Sequence, residues 1–148
     1  MNITVVQRAT ILTLLAVTIA VTRLHHFATI PDASWAVFFV GGFYLREWTR
    51  WAFPALMALA VLVDWLAISA QGVSFWQHSC VSPAYWCLVP AHAVLWAAGL
   101  WLRHQYAGLS WRMLGLLVVS LLVSVPVCHM IAQGSFYWVS DSVASPTL

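Results

Sequence analysis

Of the 148 residues, 63% are hydrophobic and 7% charged, and the mean hydropathy is +0.88. A soluble globular domain carries about a quarter charged residues, so that class is excluded and the chain reads as an all-α polytopic membrane protein, one transmembrane domain over 1–148. The net charge of +2 comes from six arginines against four acids, with no lysine. These arginines flank apolar runs, so they report orientation in a bilayer rather than a nucleic-acid partner.

In chain order, the first span is expected over Ala9–Ala28, preceded by Arg8 and followed by Arg23, His25 and His26 at its far end. A charge before an apolar core also describes a secretory signal. No clear small-x-small cleavage site follows it and further spans do, so an uncleaved helix is expected. Pro31, Asp32 and Ser34 supply a turn and a helix start, and Ala33–Leu45 forms a second span. At 1.5 Å per residue it covers only about 20 Å of a hydrocarbon core roughly 30 Å thick. Its Gly41-Gly42 pair has two readings, a cavity lining or the close approach of a neighbouring helix.

Trp51–Ala70 makes the third span and holds Asp64, the only acid inside an apolar run; Gln71–Pro83 is an uncharged polar connector, QGVSFWQHSCVSP. The fourth span, Ala84–Leu102, contains Pro90 and His92, and the fifth, Met113–Gln133, contains Pro126, Cys128 and His129. From Gly134 the tail is too polar and short to cross, with Phe136, Tyr137 and Trp138 as an interfacial anchor. Five transmembrane helices are therefore expected, with no sixth evident.

With the N-terminus in the cytoplasm, Arg8, Arg46, Arg50, Arg103 and Arg112 fall inside and only Arg23 outside, as the positive-inside rule prefers. Trp48, Trp51, Trp101 and Trp111 then mark the inner interface, and Trp35, Trp76, Trp86 and Trp138 the outer one. The same threading gathers His25, His26, Asp32, Asp64, Tyr85, Cys87, Cys128 and His129 at the outer surface, which implies an outward-opening pocket. Adjacent helical positions point about 100° apart, so at most one of His25 and His26 faces it.

Cys80 stands out, on a loop beside His78 with Phe75, Trp76, Tyr85 and Trp86 close in sequence. A histidine two residues away favours the thiolate, the form that ligates metals and attacks electrophiles. The alternatives are an inert loop thiol or half of a bridge with Cys87, at an odd total of three cysteines. A bare transition-metal ion wants three or four matched ligands, and the thiols and imidazoles here follow no CxxC or HxxxH spacing. A metal already enclosed in a macrocycle needs only an axial ligand, and one soft thiolate among aromatic rings suits a large flat cofactor of that kind.

Asp64 in hydrocarbon demands a partner or a watery cavity, and Ala60, Ala67 and Gln71 share its helical face. Two readings stand side by side, a hydrogen-bond or proton-coupling site for a ligand and a structural pair with an arginine or histidine of a neighbouring helix. His92 reads as a hydrogen-bonded interior histidine, and Pro90 and Pro126 as kinks. Ala16 and Ala20, with Thr13, form a small-residue surface for close helix approach.

The loop His78–Trp86, HSCVSPAYW, together with the small size and tryptophan-rich spans, resembles the BtuM family of bacterial cobalamin transporters. That family is similar in fold to the S components of energy-coupling-factor vitamin transporters. The resemblance implies uptake of cobalamin or its corrinoid precursors across the bacterial cytoplasmic membrane, with Cys80 as axial ligand to cobalt. Tyr85, Asp64, His78 and Trp86 are then expected to contact the corrinoid. The cysteine would displace the benzimidazole base and weaken the ligand opposite, so loss of cyanide from cyanocobalamin is expected as a secondary activity.

Two departures accompany the resemblance. An S component has six spans where this chain shows five and a polar tail. The small-residue pair on the first span resembles the surface by which S components dock on an energy-coupling module, yet proteins of the BtuM type are thought to act without one. Two rival functions remain, a thiol-quinone oxidoreductase working through Cys80 and Cys87 and a transition-metal ion permease.

Overall fold

The computed structural model describes residues 3–24, 32–72, 74–75 and 83–139, and among them all regular structure is helical. In order these are α1 (Val5–Leu24), α2 (Ser34–Tyr44), a 3-10 turn (Arg46–Trp48), α3 (Thr49–Ser69), a second 3-10 turn (Pro83–Cys87), α4 (Leu88–Gln105) and α5 (Trp111–Val139). His25, His26, Trp76, His78 and Cys80 lie outside the described residues.

Among the described residues, four segments are long and apolar enough to cross a membrane, namely Val5–Leu24, Arg46–Ser69, Pro83–Gln105 and Trp111–Val139. The fifth helix, α2, has 11 residues, only about 16 Å of rise. Apolar side chains such as Leu14, Val17, Leu122, Val123 and Met130 stand exposed around the bundle, which is how a surface solvated by lipid tails is built.

α2 packs most heavily against α4, α4 also against α5, and α1 against α3. The glycine pair decides the first of these contacts. A Cβ on Gly42 would stand 2.1 Å from the Trp96 carbonyl oxygen, and one on Gly99 2.1 Å from that of Phe39. Glycine at both positions lets the two backbones touch, so the Gly41-Gly42 pair serves helix packing rather than a cavity lining. Phe38 lies at the centre of the resulting core, its ring 4.5 Å from the His92 ring and 5.6 Å from that of Phe53. Trp96 completes the cluster and donates its indole N–H to Thr49 Oγ1 at 3.2 Å.

α5 departs from the expected boundary. It runs through Gly134 to Val139, about 43 Å in all, enough for the hydrocarbon core and both headgroup layers. Phe136, Tyr137 and Trp138 thus belong to its last turn rather than to a tail beyond the helix. Helical hydrogen bonding continues past Gly134 because one glycine removes only about 1 kcal/mol of helix preference. Pro126 sits inside the helix, whereas Pro90 falls in the first turn of α4, where no N–H partner is lost and no kink is required.

The polar residues separate to two ends. At one, Arg8 of α1 pairs with Glu47 of the first 3-10 turn at 2.5 Å. At the other, Arg23 of α1 meets Asp64 of α3 and Asp32 just before α2. The two clusters are about 22 Å apart along α1, and α2 runs from one to the other.

Candidate functional site

The α2 end that carries Asp32 is built by short polar residues. Asp32 Oδ1 accepts the Ser34 backbone N–H at 2.9 Å and the Ser34 hydroxyl at 2.6 Å, a turn of the type that starts helices. Thr22 of α1 accepts the Ala33 N–H at 3.4 Å. Ser34 Oγ in turn accepts from Arg23 Nε at 3.0 Å.

Arg23 organises the site. Its side chain is buried, and its guanidinium reaches three groups at once: the Ser34 hydroxyl, Asp32 Oδ2 at 3.4 Å, and Asp64 Oδ2 in a short charge-assisted contact. Asp64 Oδ2 also accepts the Tyr85 hydroxyl at 2.6 Å. One cation and two carboxylates thereby join α1, α2 and α3, and Tyr85 fastens the turn leading into α4 to the same centre. A guanidinium suits this role because its planar fork offers several donors in fixed directions.

Beside the network lies a mainly apolar cavity of about 170 Å³, bounded by Arg23, Met57, Ala60, Tyr85, Trp86 and His92 among others. His92 is buried, with Nδ1 2.7 Å from the Leu88 carbonyl, the interior hydrogen-bonded histidine that the sequence suggested. Trp86 is 56% exposed and meets Tyr85 edge-on at 6.1 Å. The cavity is smaller than the roughly 300–1,000 Å³ of a drug-sized ligand pocket.

Of the residues singled out in the sequence, Asp64 and Tyr85 are brought into direct contact and Trp86 lies on the adjoining wall. Cys80 and His78 belong to the loop outside the described residues. Cys87 is half-buried in the turn before α4, and Cys128 is fully buried in the core. His129 is exposed and stacks edge-on with Trp35 at 5.9 Å. Neither Cys128 nor His129 lines the cavity. Among the described residues no three His, Cys, Asp or Glu side chains converge on a metal-sized site.

Sequence reasoning set two readings of Asp64 side by side, and the structural pair is present, with Arg23 as the partner. Arg23 and Ser34 were not among the expected site residues. The available signal was that Arg23 is the lone arginine on the side of the thread where Asp32 and Asp64 also fall.

The chain matches no family model and no curated protein sequence.

Proposed function

We propose that this chain takes up a corrinoid across a bacterial cytoplasmic membrane, crossing it five times with its N-terminus inside. The cobalt-bearing macrocycle rests on the outer loop, and Cys80 supplies its axial ligand. The observation that carries this reading is the Tyr85–Asp64–Arg23 network, which ties the end of HSCVSPAYW, at Tyr85, to three helices. The described end of that loop, at Tyr85, is held against the bundle by this network, which supports a reading in which the loop presents its cysteine to a ligand. Tyr85 and Trp86 meet edge-on and supply aromatic surface suited to a flat ligand.

Support for the orientation comes from the same geometry. Arg8, Arg46 and Arg103 gather at one end of the bundle, and the Asp64 network occupies the other, as expected with arginines on the cytoplasmic side. α2 runs between the two ends and packs against α4, which supports reading it as a crossing despite its length.

The chemistry expected of Cys80 is ligand substitution without change in oxidation state. The thiolate gives an electron pair to cobalt(III) and displaces the benzimidazole nitrogen. Cyanide opposite leaves with the cobalt–carbon bonding pair and takes a proton from water. Mixing purified protein with cyanocobalamin should shift the corrin absorption spectrum for the wild type and not for Cys80→Ala. An unchanged wild-type spectrum, or an equal shift with the variant, overturns the proposal. Tight binding of free cobalt or nickel ions without a macrocycle would favour a metal permease instead.

A further inference from the structure

Two adjoining cavities at the arginine-rich end play no part in the corrinoid reading. The first, about 210 Å³, is polar and bounded by Arg8, Arg46, Arg103, Glu47, Tyr44 and Tyr106. Three guanidiniums against one carboxylate give it a formal charge of +2. The second is an apolar groove of about 340 Å³ that shares Tyr44 and Tyr106 with the first. From there it runs between α2, α4 and α5 past Val40, Phe43, Met113 and Leu117.

Arg103 marks the boundary between them. Its guanidinium carbon lies 5.4 Å from the Phe43 ring centre and 5.5 Å from that of Tyr106, so the charge is held in place by two aromatic faces. Arg8 is fixed by Glu47, while Arg46 is exposed at the end of the bundle. A cationic cavity opening into an apolar groove has the polarity of an amphiphile with an anionic head. Its level also fits, because Arg46 and Arg103 flank helix ends where lipid headgroups lie, and basic pockets between transmembrane helices are suited to phosphate heads.

We propose that this paired site binds one anionic phospholipid, its phosphodiester among Arg8, Arg46 and Arg103 and one acyl chain along the α2–α4–α5 groove. Guanidinium forks recognise phosphate oxygens in pairs. Free phosphate shares that head chemistry and leaves the groove unused.

Native mass spectrometry of the delipidated full chain in detergent tests the site with three probes: dioleoyl phosphatidylglycerol, dioleoyl phosphatidylcholine and inorganic phosphate. The expected result is retention of the phosphatidylglycerol, with weaker retention of the phosphatidylcholine and no displacement by equimolar phosphate. Arg46→Gln should weaken phosphatidylglycerol binding about fivefold, the share of one arginine near an anionic surface. Dihexanoyl phosphatidylglycerol, with the same head and short chains, should bind more weakly than the dioleoyl lipid. Equal retention of the two dioleoyl lipids, displacement by phosphate, indifference to chain length, or a folded Arg46→Gln variant with unaltered affinity would each overturn the proposal. If that variant fails to elute as a single species, the head and chain comparisons on the unaltered protein decide the matter.

Discussion

Replacing Asp64 by alanine removes the oxygen approached by both Arg23 and Tyr85, and leaves an arginine that is 8% exposed with Asp32 Oδ2, at 3.4 Å, as its carboxylate contact. Breaking a buried pair from one side destabilises by about 3–5 kcal/mol. The lower end applies, because Asp32 remains and the Asp64 side chain is 22% exposed. The Tyr85 hydroxyl also loses its acceptor, adding about 1 kcal/mol. A total of about 3–4 kcal/mol corresponds, at about 2–4 °C per kcal/mol for a chain of this size, to a fall in Tm of roughly 6–16 °C. The ten tryptophans make intrinsic fluorescence in detergent a direct readout. A second arm separates charge from packing: Arg23→Met combined with Asp64→Leu leaves only the Asp32 carboxylate, which is 26% exposed and still accepts from Ser34, and should recover most of the loss. A fall below about 2 °C for Asp64→Ala, or a double variant as unstable as the sum of its singles, would refute the reasoning.

Gly42→Ala and Gly99→Ala each set a methyl group 2.1 Å from a carbonyl oxygen of the facing helix. Each should destabilise by about 1–3 kcal/mol or more in the same melting assay. Gly115→Ala, with open space at its Cβ, should instead be neutral or stabilising by up to about 1 kcal/mol. Thr49→Val keeps the side-chain shape and removes the acceptor of the Trp96 N–H; a loss of about 1 kcal/mol is expected, with a changed indole emission. For the topology, a membrane-impermeant maleimide applied to intact cells should label Cys80 in a Cys87→Ser, Cys128→Ser background. It should spare Leu109→Cys in a chain that also carries Cys80→Ser, if the α4–α5 connector lies on the cytoplasmic side as proposed; the reverse pattern would invert the orientation.

What was legible in the sequence follows from the range of the forces involved. Apolar runs and flanking arginines act locally, so the long helices and the separation of Arg8, Arg46 and Arg103 from Asp64 could be read along the chain. The pairing of Arg23 with Asp64 spans 41 positions and depends on which helices become neighbours, which no local pattern encodes. Gly41-Gly42 left two readings open for the same reason. The choice between them rests on Gly99, a single glycine on α4 with no distinguishing context of its own. The end of α5 was missed because Gly134 and Ser135 look like a stop, yet Ser135 Oγ donates to the Ala132 carbonyl at 3.0 Å and helical geometry continues to Val139. Tyr85 was legible as a candidate through its nearness to Cys80, and its role in fastening that loop to Asp64 required the three-dimensional arrangement.

The backbone contact between α2 and α4 also limits how the bundle can move. With the Phe39 and Trp96 carbonyls occupying the room of absent methyl groups, longitudinal slippage of either helix would bring side chains with a Cβ into the same narrow gap, and densely packed interfaces resist such continuous deformation. The two helices therefore behave as a keel. Any passage that opens through the protein has to be made by the flanking helices swinging about it, α1 and α3 on one flank and α5 on the other.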